Sequence, residues 1–431
     1  MSQPPSTTPQ TLAQKLLARA AGVALARVGE ILTCRVDLAM FHDSSGPRRL
    51  GPMLEELGDR IWDPSKVVLV MDHYVPATDD VSRRIVRIAR EWAREQDLRH
   101  VYDGLGICHV VIPQMGHIKP GLLCVGGDSH SPTAGAFGTY MFGIGSTEML
   151  GVLVTGEIWV RVPETLKMQW SGRLASGVSA KDMMLYLTGR LGMNGGQYQA
   201  VEFCGEAVQA LSMQERMTLC NMSAELGAQV GLVAPDETTR EWLQAHGTVL
   251  TAQDLEQWSY WCSDPGAPAI THAFDAASLA PQVAQPHSPA NVAAASELTD
   301  VELDVAYIGA CTGAKLDDLA AAAQVLRGHR VAPGVQLLVA PASARDQREA
   351  ERLGYMEVLR AAGARVLATS CGACAGYGGS IPDDANVISS TARNFKGRMG
   401  SATARVYLAS PYTVAASALR GHVTDPREVL A

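Results

Sequence analysis

The sequence predicts an α/β protein built on largely parallel sheets. Three observations carry that prediction. Short apolar runs such as "VVLVM" and "GLLCVGG" end in Gly, Pro or polar residues, as buried strands do. Between them lie stretches with apolar residues at i, i+3, i+4 and i+7, as in "VSRRIVRIAREWAREQ". From residue 305 the pattern restarts as a regular succession of strand and helix. In sheets of this kind ligands gather at the carboxyl ends of the strands, so the polar residues just after the apolar runs are the ones to follow.

Taken in order, the start "MSQPPSTTPQ" is polar and Pro-rich and lacks the charged end and apolar core of a secretory signal. "LAQKLLARAAG" reads as a first surface helix. "VVLVM" reads as a buried strand ending at Asp72 and His73, with "HVVIP" and "GLLCVGG" as further short runs of the same kind. "VPETLKMQWSGRL" opens a more regular segment, and "AKDMMLYLTGRLG" reads as a helix. Residues 263–299, rich in Ala, Pro and Ser, read as a linker or irregular boundary. Beyond them come strand "VAYIGA", helix "LDDLAAAAQVL", strand "VQLLVAP", helix "QREAERLGYMEVLRAAG" and strand "ARVLAT". The expected division is 1–162, 163–280 and 281–431, each an α/β unit.

Composition narrows the function classes. The chain has 431 residues, 47% hydrophobic and 19% charged, which suits a globular protein of two or three domains. A net charge of -8 with no block of Lys or Arg argues against nucleic acid as a partner. No run of eighteen apolar residues occurs, so no membrane span is expected. Nine cysteines, an odd number without a secretory signal, point to a reducing cytoplasm rather than a disulfide framework. Cys34, Cys204, Cys220 and Cys262 are expected to be plain buried residues.

Three constellations stand at the ends of apolar runs. Cys311 in "GACTGAK" follows one strand, and Cys371 and Cys374 in "CGAC" follow another of the same unit. A thioredoxin-type pair needs no third cysteine, and a closed zinc site wants a fourth ligand, whereas His329 and His422 lie outside strand-end loops. Three thiolates without a fourth ligand fit an iron–sulfur cluster with one iron left open, with coincidence as the alternative. The second constellation is acid–base: Asp72 and His73, His109 in "GICHVV", and Asp128, Ser129 and His130 in "GGDSHSPTAGAFG". A carboxylate beside an imidazole orients it and raises its pKa, although any one of these histidines alone could be a satisfied core residue. Asn221 and Glu225 in "CNMSAELGA" have helical i, i+4 spacing and could face the same pocket. The third is Arg393 and Arg398 around Lys396 in "STARNFKGRMG", a pair suited to a di- or tricarboxylate or else a solvated basic loop.

These stretches together resemble the aconitase superfamily, and within it the large subunits of isopropylmalate isomerases. The likeness runs in order through "FHDSSGP", "MDHYVP", "GICHVVIPQMG", "GGDSHSPTAGAFG", "VPETL", "AKDMMLYL", "CNMSAELGA", "IGACTG", "CGACAG", "ARNFKGRMG" and "YLASPYTVAASALRGHVTDPRE". It implies three α/β domains around a cleft that bears a [4Fe-4S] cluster, with Cys311, Cys371 and Cys374 as its ligands and one iron not bound by cysteine. That open iron acts on the substrate as a Lewis acid. The resemblance also implies that Asp72 and His73 protonate the leaving hydroxyl. Asp128 with His109, and Glu225 with His130, match paired groups around the open iron; Ser129 and Asn221 line the pocket, and Arg393 and Arg398 hold substrate carboxylates.

The implied chemistry is reversible loss of water from a hydroxy acid. The family's catalytic serine belongs to a swivelling domain that this chain, ending at "HVTDPREVLA", is expected to lack. A small-subunit partner is therefore expected to supply it, with activity only in the complex. Two residues depart from the family pattern: Gly313 and Ala392 stand where asparagines are usual. Groups behind the ligands tune a metal site, so these changes leave room for another substituted malate or for homocitrate as substrate. A non-catalytic cluster-based sensor, or zinc on the same thiols, are the readings of other classes.

Overall fold

The computed structural model describes residues 8–58, 60–377 and 381–430; the first seven residues of the Pro-rich start lie outside them. After the helix Leu12–Ala21 and strand β1 (Ile31–Arg35) the chain builds a five-stranded sheet. Its strands are β2 (Leu38–His42), β3 (Val67–Met71), β4 (His100–Asp103), β5 (Leu123–Gly126) and β6 (Tyr140–Gly143). They run parallel in the order β4-β3-β2-β5-β6. Strand β7 (Glu157–Arg161) returns antiparallel to β1 as a separate ribbon.

A second parallel sheet, ordered β10-β9-β8-β11, comprises β8 (Thr165–Ser171), β9 (Ala200–Cys204), β10 (Val230–Val233) and β11 (Ile270–Asp275). The third has seven strands: β12 (Gln282–Ala284), β13 (Val292–Ala294), β14 (Val305–Ile308), β15 (Gln336–Val339), β16 (Arg365–Val366), β17 (Asn386–Ser389) and β18 (Arg405–Ala409). Their order is β13-β12-β18-β17-β14-β15-β16, parallel except that β12 opposes β13 and β18.

Every residue of β3 is buried, as a central parallel strand covered on both faces requires. Alternation sends Met40, Val68 and Val70 into a core shared with the other two sheets. Phe41, Leu69 and Met71 point the other way, into a second core that includes the N-terminal helix. In both larger sheets the first parallel strand is flanked by later strands on each side: β2 by β3 and β5, and β14 by β15 and β17. Such a reversal opens a crevice at the carboxyl ends.

Several segments differ from expectation. The helix Leu12–Ala21 is buried rather than superficial, because its polar Lys15 is satisfied inside by Asp264 at 2.6 Å and by the Tyr260 carbonyl at 3.0 Å. "HVVIP" belongs to a buried helix, Cys108–Gln114; a short all-apolar run carries no period to tell helix from strand. Residues 263–299 are more than a linker, since β11, β12 and β13 lie there. The single helix expected before β16 is two, Ala344–Arg352 and Tyr355–Ala362, divided at Gly354 with φ 77°. Cys34 and Cys220 are buried, but Cys204 is only partly covered and Cys262 is exposed. Among the described residues no helix is long and apolar enough to cross a membrane.

Candidate active site

The polar residues that follow the strands converge. Strand β2 ends at His42 and Asp43, β3 at Asp72 and His73, and β5 leads into Asp128, Ser129 and His130. Asp72 Oδ1 lies 2.6 Å from His73 Nδ1, and its Oδ2 accepts the Cys108 N–H at 2.7 Å. That second bond ties β3 to the helix carrying His109. His109 Nε2 meets Asp128 Oδ1 at 2.8 Å, and His130 Nε2 meets Glu225 Oε1 at 3.1 Å. All three carboxylate–imidazole pairs expected from the sequence thus form. Asn221 sits in the last turn of the helix Met213–Met222, while Glu225 lies just past it in a turn. Their shared direction therefore comes from the turn rather than from a continuous helix.

The electrostatics follow from burial opposed by pairing. Burial works against the His73 imidazolium, yet Asp72, with Asp128 and Asp43 behind it, lifts its pKa to about 9. Burial likewise opposes the Asp72 carboxylate, but His73 outweighs it and keeps the acid below its ordinary value. Burial works against Asp128 too, but His109 first, then His42 and His130, hold it well below that range. Glu225 is lowered by His130 and Arg393 against the same opposition.

The three expected thiols meet the same place from the third sheet. Cys311 follows β14, where Ala310 adopts φ 69°, and receives the Asn221 amide at 3.2 Å on its sulfur. Cys371 donates its N–H to the Asp72 carbonyl at 2.8 Å, docking the "CGAC" loop onto the end of β3. Arg398 Nη2 approaches the Cys374 sulfur at 3.3 Å, and the adjacent Cys371 thiol, followed by this guanidinium, lowers the Cys374 pKa against burial. Burial, and the charge of Cys374 after it, push Cys311 up to about 12. Arg393 Nε donates to Glu225 Oε1 at 2.7 Å. Ser129 is exposed between Asp128 and His130.

Five buried polar atoms of this constellation have no hydrogen-bond partner among the described residues: His42 Nδ1, His109 Nδ1, Asn221 Oδ1, Glu225 Oε2 and Arg398 Nε. Each such atom costs about 1–3 kcal/mol, which a folded protein tolerates where something is to be bound. Three thiols beside five unsatisfied polar atoms are a donor set suited to a metal–sulfur group and a polar ligand together.

Sequence reasoning passed over four further residues here. His42 stacks on His73 with ring centroids 3.9 Å apart, and its Nε2 lies 3.5 Å from Asp128. Asp43 accepts the backbone N–H groups of Asp72, His73 and Tyr74. Lys181 and Lys315 are buried, Lys181 on the Ser390 and Thr391 carbonyls, and Lys315 on the Asp318 carboxylate, the Thr218 hydroxyl and the Cys311 carbonyl. His42 and Asp43 follow the run "LAMF", so the strand-end rule would have found them; nothing local marks the two lysines. Gly313 and Ala392 are both buried, and a Cβ built on Gly313 would lie 2.2 Å from Ser390 Cβ. Ser390 therefore closes position 313 to any side chain.

A family model described as the Aconitase family (aconitate hydratase) matches residues 14–299 and 291–421. The 3-isopropylmalate dehydratase large subunit 1 of Methanopyrus kandleri is 42% identical over 425 residues, 98% of this chain and 100% of that protein. The probable methanogen homoaconitase large subunit of Methanosarcina mazei is also 42% identical, over 91% of this chain and 99% of its own length. The 3-isopropylmalate dehydratase large subunit of Aquifex aeolicus is 38% identical over 97% of this chain and 98% of that protein.

Proposed function

The chain belongs to the aconitase family, and from that premise we propose that it is the cluster-bearing large subunit of a hydro-lyase. Its reaction is reversible dehydration, and through it isomerisation, of a hydroxy dicarboxylate of the isopropylmalate type. The observation that carries the reading is the joining of three carboxylate–imidazole pairs to three thiols and two arginines in one constellation. Its three α/β parts divide at residues 162 and 280, and the cleft is where their loops meet. All nine cysteines are unpaired, which suits a reducing compartment such as the cytoplasm.

Cys311, Cys371 and Cys374 would hold a [4Fe-4S] cluster with one iron free of cysteine, which when bound supplies Lewis acidity toward a hydroxyl and a carboxylate. The remaining work falls to the chain's own groups. His73, its Nδ1 fixed by Asp72, carries its proton through neutral pH and presents Nε2 to the departing hydroxyl. Arg393 and Arg398 orient the carboxylates, each with guanidinium N–H groups beyond the one already engaged. His109 and His130 are fixed by Asp128 and Glu225 so that their orientation costs nothing at the moment of reaction. Removal of the proton next to a carboxylate is left to a serine of the small subunit.

A second reading, homoaconitase, is favoured by one observation: the homoaconitase relative is as similar as the first isopropylmalate one. The deciding experiment co-expresses the chain with its small subunit, purifies the complex without oxygen, and measures iron, acid-labile sulfide and turnover. Close to four irons per chain with turnover of 3-isopropylmalate supports the first reading; turnover of homocitrate alone supports the second. A loaded complex that dehydrates neither acid, or a chain that takes up no iron, overturns both.

A further inference from the structure

We infer that Lys181 is a positioning residue, which fixes the loop bearing Cys311 against the loop bearing Arg393 from a helix outside their sheet. The inference rests on the assignment of those two loops to the site above. Lys181 lies on the helix Ala180–Leu191, and only 1% of it is exposed. Its Nζ donates to the Ser390 carbonyl at 2.5 Å, the Thr391 carbonyl at 2.7 Å and the Thr312 hydroxyl at 3.2 Å. An ammonium has three protons, and each finds one of these acceptors. None of the three belongs to its own helix. Thr312 follows Cys311 after β14, and Ser390 and Thr391 lead from β17 to Arg393.

The charge has no carboxylate among its hydrogen-bond partners. Burying an ammonium on neutral oxygens is expensive, and a methionine of similar length would fill the space without that cost. What the cation gives in return is geometry: one point joined to two loops. The loops are already in close approach, since Ser390 fills the place of a side chain at Gly313 and its Oγ accepts the Gly309 N–H at 2.9 Å. Thr312 donates to the same Ser390 carbonyl at 2.8 Å. Lys181 closes this cluster from the helix that connects β8 to β9. Its removal frees the Cys311 loop and the Arg393 loop to move separately.

The test reads the position of Cys311 without relying on turnover. Cluster-free chain is alkylated with iodoacetamide, and each cysteine is followed by peptide mass spectrometry. Lys181→Met is expected to speed labelling of Cys311 about tenfold over wild type while Cys220 stays protected, the signature of local rather than global opening. Lys15→Met is the control for the loss of a buried lysine elsewhere, since Lys15 pairs with Asp264 far along the chain. It is expected to lower stability and leave Cys311 labelling unchanged. If Lys181→Met does not fold, Lys181→Arg keeps a donor but displaces it from the three acceptors and is expected to speed labelling about threefold, with Cys220 still protected. Wild-type labelling of Cys311 in the folded variants, or an equal change in Lys15→Met, overturns the inference. Because iron content and turnover of the wild-type complex are separate measurements, this failure is distinguishable from failure of the proposed function.

Discussion

His73 illustrates what single residues contribute. Its folded-state pKa of about 9 stands above the ordinary 6.5, so its pairing with Asp72 stabilises the fold fully below pH 6.5 and is lost as pH rises through 9. Asp72 is shifted the other way, and its contribution is lost only in acid. Urea unfolding across pH 6.5 to 9 is therefore expected to show wild type losing about 3 kcal/mol more than His73→Gln. Equal slopes in the two proteins would remove the basis for a charged pair. In the loaded complex the same variant is expected to lower turnover by about 100-fold or more. Gly313 supplies a steric counterpart. Gly313→Asn is expected to destabilise by about 2–3 kcal/mol through overpacking against Ser390, and Gly313→Asn/Ser390→Gly recovers only part of the loss, because the Ser390 carbonyl oxygen stays 2.7 Å from the new Cβ. Thermal unfolding of the two variants checks this; an undisturbed single variant would mean that the backbone at Ser390 can shift.

At the scale of elements, the site depends on how closely loops pack on neighbouring strands. The segment Ser131–Phe137, which follows His130, lies directly on β10: a Cβ on Gly135 would be 1.7 Å from the Gly231 carbonyl oxygen. Gly135→Ala is expected to cost about 3 kcal/mol, because backbone rather than a flexible side chain must move. Gly151, on the exposed face of the helix Ser146–Thr155 with nothing within 4 Å, offers the contrast. Gly151→Ala is expected to be neutral or stabilising by about 0.5–1 kcal/mol. Chemical denaturation of both compares them directly, and a similar loss in each would refute the packing argument. Elements long enough to repeat a period, such as the helix Asp80–Glu95, are legible in the sequence. The three-residue strands β12 and β13 repeat none; pairing to β18 more than a hundred residues away makes β12 a strand, and β13 then pairs on β12.

At the scale of the whole molecule, groups from all three sheets or their helices meet in one place, and the cluster would tie them together. Chelation of iron from the oxidised, loaded chain is expected to lower the melting temperature, since a group bound only by the native state stabilises it. Cys311→Ala should show the lower value from the outset and no further fall; equal melting temperatures with and without iron would mean that the group does not bridge the loops. The sequence by itself determined the class of fold and the strands whose ends carry Asp72, Cys311 and Cys371. These are local properties: an apolar run reveals its strand, and topology sends a strand's end to the crevice. The pairings of His109 with Asp128 and of His130 with Glu225 came from the family resemblance, and the approach of His42 to Asp128 came from neither. Tertiary structure alone decided that Lys15 and its helix are interior, that Lys181 spans two loops, and that Ser390 closes position 313. Each of these is a contact between residues 77 to 249 positions apart, and no periodicity along the chain encodes which distant carbonyl a buried cation will find.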